Sequence, residues 1–278
     1  MYKLVTKKVL SDVSKMFEVE APLVARKAKP GQFIILRVDD RGERIPLTIA
    51  DSDPERGTIT IIFQEVGQTT KCLAQKEAGD YISDFVGPLG KPMEFPEHPG
   101  RIIAVGGGVG IAPVYPKVKG FHKAGMDVVS IIGARTKELL LLEDEMRAVS
   151  KELHVCTDDG TYGHHGFVSD ILQKYLDDGE PIAEIIAVGP MPMMRAIVNQ
   201  TRPYGVKTVV SLNPIMVDGT GMCGACRVTV GDKTMFTCVD GPVFDGHQVD
   251  FNELMARSKM FLDKEKQALE FCRCGGGE

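Results

Sequence analysis

The sequence predicts a small antiparallel β-barrel followed by an α/β domain of Rossmann-like type, with a short cysteine-bearing segment at the C-terminal end. Three observations predict it. Residues 1–97 carry β-rich runs separated by turn residues. Residues 98–210 alternate apolar strands with helical patterns, as parallel sheets covered by helices do. Residues 211–278 open on Asp218–Cys238, which holds three of the seven cysteines at the spacing C-x2-C-x11-C.

The elements follow in order. In the first domain KLVTKKVL, MFEVEAP, QFIILRV, IPLTIAD and GTITIIFQEV read as strands. Pro-Gly, Arg-Gly and Asp-Pro pairs divide them, and a short helix is expected near Thr69–Gln75. Short strands at such regular spacing suit a barrel. The character changes at HPGRIIAVGGGVG. Strands RIIAVGG, DVVSIIGA, LHVCTD and EIIAVG then alternate with helices expected at about 112–124, 137–150, 168–175 and 192–201. TVVSLNPIMV leads into the cysteines, and a charged helix is expected over about 250–270, before the tail FCRCGGGE.

Composition narrows the function. A chain of 278 residues, 43% hydrophobic, can build two or three cores. The net charge of −5 and the absence of a basic patch argue against nucleic acid as a partner. No run is apolar enough for a membrane span, and MYKLVTKKVL lacks the core of a signal peptide, so a cytoplasmic location is expected. An odd number of cysteines does not read as a disulfide framework; metal binding or burial does.

The motifs sharpen this. VGGGVGIAP follows a strand and opens a helix. Gly106, Gly107, Gly108 and Gly110 permit a tight turn, and Pro113 suits the first helical turn. The N–H groups at such a start favour a diphosphate. CTDDGTYGHHG ends the third strand, where Asp158 and Asp159 are placed to meet the other half of a nucleotide. Carboxylates accept from ribose hydroxyls and repel a 2′-phosphate, which favours NAD(H) over NADP(H). Arg135 argues mildly the other way, and His164 and His165 read as loop histidines. Gly189, Pro190 and Met191 form another turn at a strand end. In the first domain RIPLT sets Arg44 beside Pro46, Leu47 and Thr48, and EVGQTT sets Val66, Gly67, Thr69 and Thr70 at a helix start. GPLG, Gly87–Gly90, reads as a tight turn. Together these suggest a second diphosphate cofactor between the domains.

This order of domains and motifs resembles the ferredoxin–NADP reductase superfamily, over essentially the whole chain. The branch it looks most like contains the electron-transfer subunit of dihydroorotate dehydrogenase. The resemblance implies FAD held by Arg44 at the diphosphate, by the Pro46–Thr48 backbone at the isoalloxazine, and by Gly67, Thr69 and Thr70. The motif departs from the superfamily's Arg-x-Tyr form in having Pro46. Gly106–Pro113, Asp158–Asp159 and Gly189–Met191 would hold NAD(H). The branch binds a [2Fe–2S] cluster with C-x4-C-x2-C-x11-C. Counting back from Cys223 puts Asp218 at the first position, which implies ligation by Asp218, Cys223, Cys226 and Cys238.

That replacement also resembles the small subunit of the electron-bifurcating NADH-dependent ferredoxin:NADP+ oxidoreductases. Such a subunit works in a heterodimer with a larger flavin and iron–sulfur partner and a ferredoxin-type carrier. Other readings stand beside it: the dihydroorotate dehydrogenase subunit itself, a loop that has lost its iron, a zinc site, and a binding module without chemistry. Cys272 and Cys274 read as tail thiols. Hydride transfer requires no general acid or base, so no catalytic side chain is expected.

Overall fold

The computed structural model describes residues 1–96 and 100–270. Cys272 and Cys274 lie outside the described residues, as does the expected domain boundary at 97/98. Two seven-stranded sheets build the fold.

The first sheet is antiparallel. Its strands are β1 (Tyr2–Ser11), β2 (Ser14–Glu20), β3 (Phe33–Arg37), β4 (Ile45–Asp53), β5 (Thr58–Gln64), β6 (Tyr81–Ile82) and β7 (Asp84–Leu89), in the order β6-β1-β2-β5-β4-β3-β7. The two outermost strands are joined by one residue, Ser83, whose N–H reaches Arg37 O at 3.1 Å. The sheet therefore curls back on itself into the expected barrel, which shields its edges. Phe17, Ile34, Leu36, Ile59, Ile61, Phe63 and Phe85 fill the interior. Two short helices interrupt the strands: α1 (Pro22–Ala25), where MFEVEAP turns at its proline, and α2 (Gln68–Ala74). GPLG is mostly strand: Asp84–Leu89 pairs with β3 before the chain turns at Gly90.

The second sheet begins with β8 (Arg101–Gly107), α3 (Ile111–Lys123), β9 (Val128–Ala134), α4 (Glu143–Val149) and β10 (Glu152–Thr157). It continues with β11 (His164–His165), α5 (Val168–Asp177), β12 (Ile182–Val188), α6 (Met191–Thr201) and β13 (Thr208–Ser211). The strand order is β11-β10-β9-β8-β12-β13-β16. All pairs are parallel except the last, in which β16 (Val243–Asp245), from the cysteine-bearing segment, runs antiparallel to β13. β8 and β9 are buried along most of their length, as strands covered on both faces must be.

Local structure departs from expectation at three places. The helix expected over 137–150 is a single 3-10 turn, an extended stretch and then α4, with Leu142 left-handed at φ 55°. Glu143, Asp144 and Glu145 favour a helix start there because acidic groups suit the positive end of the helix dipole. The charged C-terminal helix is two helices, α8 (Phe251–Arg257) and α9 (Leu262–Glu270). Phe251 and Leu254 are buried against the α/β domain, whereas Phe261 and Leu262 are exposed, so only α8 has an apolar surface to cover. Between the cysteines lies an unforeseen hairpin, β14 (Arg227–Val230) with β15 (Lys233–Phe236), followed by a helical turn α7 (Thr237–Asp240).

The barrel and the α/β sheet share one core. Ala50 and Ile62 of the barrel join Ile111, Val114 and Val118 of α3. Lys119 of α3 reaches Asp51 of β4 at 2.5 Å across the same junction. No helix of the described residues is long and apolar enough to cross a membrane.

Candidate cofactor cleft and cysteine loop

A cleft of about 1230 Å³ opens between the domains. A pocket for one drug-sized ligand occupies roughly 300–1,000 Å³, so this one has room for more than one. The barrel contributes Pro46, Leu47 and Thr48 of β4, Val66, and Thr70 of α2. The α/β domain contributes Gly107, Gly108, Gly110 and Pro113, then Asp158, then Gly189, Pro190 and Met191. All the latter lie at the carboxyl ends of parallel strands, where open α/β sheets bind ligands.

Two glycines of the loop after β8 serve different needs. Gly108 has φ +55° and nothing within 4 Å of an added Cβ. Gly110 has ordinary helical φ, but an added Cβ would stand 2.4 Å from Val188 O. The first needs glycine's backbone; the second lets α3 start against the end of β12.

Some expected residues lie elsewhere. Gly106 is buried beneath Ile111. Thr69 is buried and donates to Glu43 at 3.3 Å. The Thr70 hydroxyl accepts from Val66 and Gly67 N–H at 3.1 and 3.0 Å, so it caps its own helix. Asp159 turns into its own loop: its carboxylate accepts from the Thr161 hydroxyl at 2.7 Å and N–H at 3.0 Å. Those bonds hold the Asp159 carboxyl below the usual range. Asp158 faces the cleft. Arg44 is exposed beside the cysteine loop, where its charge acts on Asp218.

Residues not singled out also line the cleft, among them Asn213, Met216 and Pro242, and Arg135 and Met193 lie there too. Asn213 follows β13, so the rule that ligands gather at carboxyl strand ends would have found it. Met216 and Pro242 arrive only by tertiary packing. A second hollow, about 530 Å³, lies beyond β10. Its charges are largely answered from within: His154 Nε2 meets Glu152 at 2.9 Å and Tyr175 Oη at 2.6 Å, and Arg147 meets Glu143 at 2.7 Å.

The cysteine loop packs on β3. Cys226 and Cys238 are buried, with their sulfurs 3.2 Å apart, against Phe33 and Ile35 of β3. In the ladder Phe33 pairs with Thr48 and Ile35 with Pro46. Phe33 and Met216, which pack on the cysteine pair, also line the cleft, and β3 runs beside β4 at the usual strand spacing of about 4.8 Å.

The other two expected ligands form a second group on the loop. Cys223 is exposed, and its thiol lies against the N–H groups of Ala225 and Asp218, which favour the thiolate and lower its pKa. The Asp218 carboxylate accepts from the Thr220 hydroxyl, from Thr220 N at 2.9 Å and from Met222 N at 3.3 Å, all at Oδ2. These bonds, led by the Thr220 hydroxyl, lower its pKa. Burial pushes the Cys238 thiol up to about 12. Among the described residues no three His, Cys, Asp or Glu side chains gather as a single-ion site. A lone zinc needs such convergence. Donors set in two pairs suit a two-iron centre instead, and the Cys238 thiol, which burial keeps protonated on its own, suits a strong cationic partner. The donor set thus fits an iron–sulfur cluster. Cys156 is buried at the end of β10, its thiol raised to about 12 by burial, and plays no part in this loop.

Comparison with known proteins accords with this geometry. Residues 213–250 match the iron–sulfur cluster binding domain of dihydroorotate dehydrogenase B, and residues 104–199 match the oxidoreductase NAD-binding domain. An uncharacterised protein of Clostridium beijerinckii is 51% identical over 96% of this chain and 93% of its own. A Thermotoga maritima protein described as a dihydroorotate dehydrogenase B (NAD(+)) electron transfer subunit homolog is 46% identical, over 95% and 92%. Among solved structures, one of an NADH-dependent reduced ferredoxin–NADP oxidoreductase, described in terms of flavin-based electron bifurcation, superposes with a TM-score of 0.91. It is 44% identical and covers 98% of this chain and 97% of its own.

Proposed function

The chain belongs to the family of dihydroorotate dehydrogenase B electron-transfer subunits, and from that premise we propose that it is the small subunit of an electron-bifurcating NADH-dependent ferredoxin:NADP+ oxidoreductase. It is an oxidoreductase electron-transfer subunit that uses NAD(H), FAD and an iron–sulfur cluster. When bound, NADH supplies a hydride, FAD converts paired electrons to single ones, and the cluster carries one electron at a time. The protein's part is placement.

The observation that carries the reading is that the cysteine pair packs on Phe33 and Met216, which also line the cleft. Pro46 and Thr48 stand on the cleft wall, and their ladder partners Ile35 and Phe33 pack on Cys226 and Cys238. Pro46, Leu47 and Thr48 would hold the flavin and the cysteine loop the cluster, with Phe33 and Met216 common to both sites. Gly107, Gly108 and Gly110 would bring backbone N–H groups to the NADH diphosphate, and Asp158 would take the ribose. Arg44 would serve the flavin diphosphate from beside Asp218. Asp218, Cys223, Cys226 and Cys238 would ligate a [2Fe–2S] cluster.

The exposed face of the loop, with Met222 at its tip and Cys223 beside it, supports docking of a larger flavin and iron–sulfur subunit that exchanges electrons with ferredoxin. The reading most in competition is the electron-transfer subunit of a dihydroorotate dehydrogenase. Asp218, where that branch has cysteine, favours the first.

The test is an EPR spectrum of the anaerobically purified, dithionite-reduced chain, with iron and flavin counts. The reading expects a half-spin signal and about two irons per chain. Flavin without iron would sink it. Co-expression with the large subunit then separates the two functions: NADH-linked reduction of NADP+ by reduced ferredoxin is expected, and orotate formation would overturn the assignment.

A further inference from the structure

The hydroxyl of Thr237 is buried, and it has no hydrogen-bond partner among the described residues. Few buried hydroxyls are left so, because a stranded donor forfeits its bond to water. Its surroundings say what it is for. Thr237 adjoins both buried cysteines through its backbone. It precedes Cys238 in the chain. It also lies one rung beyond the β14–β15 ladder, whose last pair is Arg227 with Phe236. The next pair in that register is Cys226 with Thr237, and Thr237 N–H does donate to Cys226 O at 3.1 Å. Residues opposite each other in an antiparallel ladder share a face, with Cβ atoms about 5 Å apart.

The same rung also carries a contact to sulfur. Cys238 N–H donates to Cys226 Sγ at 3.4 Å. The loop thus already aims one donor at a cysteine sulfur, with a spare donor next to it.

We propose that Thr237 is a positioning residue for the iron–sulfur cluster, its hydroxyl donating to a sulfur of the Cys226–Cys238 half and raising the cluster's reduction potential. This rests on the cluster reading above. The physical reason is charge. Reduction adds one electron, which spreads onto the sulfurs, and a donor aimed at a sulfur stabilises the more negative state. Hydrogen bonding to sulfur is one of the levers on such potentials. The effect is larger in a buried half, where water cannot screen it. Thr237 answers for the buried half of the cluster; the opposite half, at Asp218 and Cys223, has Cys223 exposed.

The test compares Thr237→Val, which keeps the shape and removes the hydroxyl, with Thr237→Ser, which keeps the hydroxyl. Each full-length chain is purified anaerobically. Iron and flavin are counted, the midpoint potential is read by dithionite titration followed by EPR, and the melting temperature of the iron-free chain is recorded. The valine variant should keep its iron and reduce less readily, with the one-electron equilibrium shifted about threefold to tenfold; tenfold corresponds to 59 mV. Its g-values should move with it. The serine variant should match the unaltered chain. The iron-free valine chain should melt no lower than the iron-free unaltered one, since it has lost an unmade bond and kept its packing.

A valine variant with full iron and an unchanged potential would overturn this inference while leaving the cluster reading intact. So would equal shifts in both variants. So would a fall in melting temperature of the iron-free valine chain, which would give the hydroxyl a structural partner. No iron in the unaltered chain would remove the cluster reading, and the inference with it.

Discussion

Changing Gly110 to Ala should destabilise the α/β domain severely, whereas Gly108→Ala, two residues earlier in the same loop, should scarcely do so. Gly110 has φ −62° and ψ −12°, a conformation alanine adopts freely. Backbone strain is therefore absent, and only space is at issue. A Cβ there would lie 2.4 Å from Val188 O, 2.6 Å from Gly189 Cα and 2.7 Å from Val188 C. All three are backbone atoms at the end of β12, a strand held on both sides by β8 and β13. None can swing aside as a side chain would. Overpacking typically costs 1–3 kcal/mol, and this case belongs at the upper end, about 3 kcal/mol. At 2–4 °C per kcal/mol for a domain of this order, the melting temperature should fall by roughly 6–12 °C. At Gly108 the cost is only that of a left-handed alanine, about 1 kcal/mol, partly offset by a less flexible unfolded chain. Its Cβ would instead project into the cleft and weaken NADH binding. Urea unfolding followed by far-UV circular dichroism suits a chain without tryptophan, and NADH titration supplies the second axis. Gly110→Ala within about 0.5 kcal/mol of the unaltered chain, or Gly108→Ala as the less stable of the two, would refute the close-approach argument.

Lys117 on α3 is buried with no partner for its ammonium, and burial lowers its pKa from 10.5 to about 8, with Glu184 opposing. The unfolded chain holds this proton more tightly, so the native state is penalised below pH 8 and regains stability as pH rises from about 8 to 10.5. Lys117→Met should therefore gain up to about 3 kcal/mol at pH 7, and the difference between the two chains should shrink across that window; a methionine chain less stable at pH 7 would contradict it. Asp158→Asn should relax the preference for NADH over NADPH, because Asp158 faces the cleft, while Asp159→Asn should leave the ratio nearly unchanged and loosen the Thr161 turn. Steady-state kinetics with both nucleotides decide between them, and the reverse ranking would move the ribose site. In the iron-free chain at pH 8, iodoacetamide should label Cys223, exposed with a lowered pKa, well before the buried Cys226 and Cys238. Peptide mass mapping would expose equal labelling, which would mean that the loop is not folded as described.

Much of this molecule was legible in its sequence, because the signals are local. Parallel strands buried on both faces must be apolar throughout, so RIIAVGG and DVVSIIGA announced themselves. Glycine turns between strand and helix marked the nucleotide side of the cleft. Other features escaped for reasons of context. The run ELLLLEDEMRAV has helical composition, yet Leu142 turns left-handed and delays the helix. The helical pattern after Asp250 is continuous, yet only Phe251 and Leu254 have a surface to bury against. Asp158 and Asp159 are equivalent as letters, and only the fold turns one to the cleft and the other to Thr161.

The sequence by itself determined the barrel, the α/β sheet and the C-x2-C-x11-C spacing from Cys223 to Cys238, since periodicity and spacing are properties of neighbours along the chain; Asp218 as a fourth donor is what the family resemblance implies. Tertiary structure alone decided that Phe33 and Met216 pack on Cys226 and Cys238 while lining the cleft beside Pro46 and Thr48. It also decided that β16 ties the cysteine segment to the α/β sheet, and that Thr237 arrives opposite Cys226 with a donor to spare. Those relations join residues up to about two hundred positions apart. They follow from which surfaces must be buried together, and no local pattern encodes that.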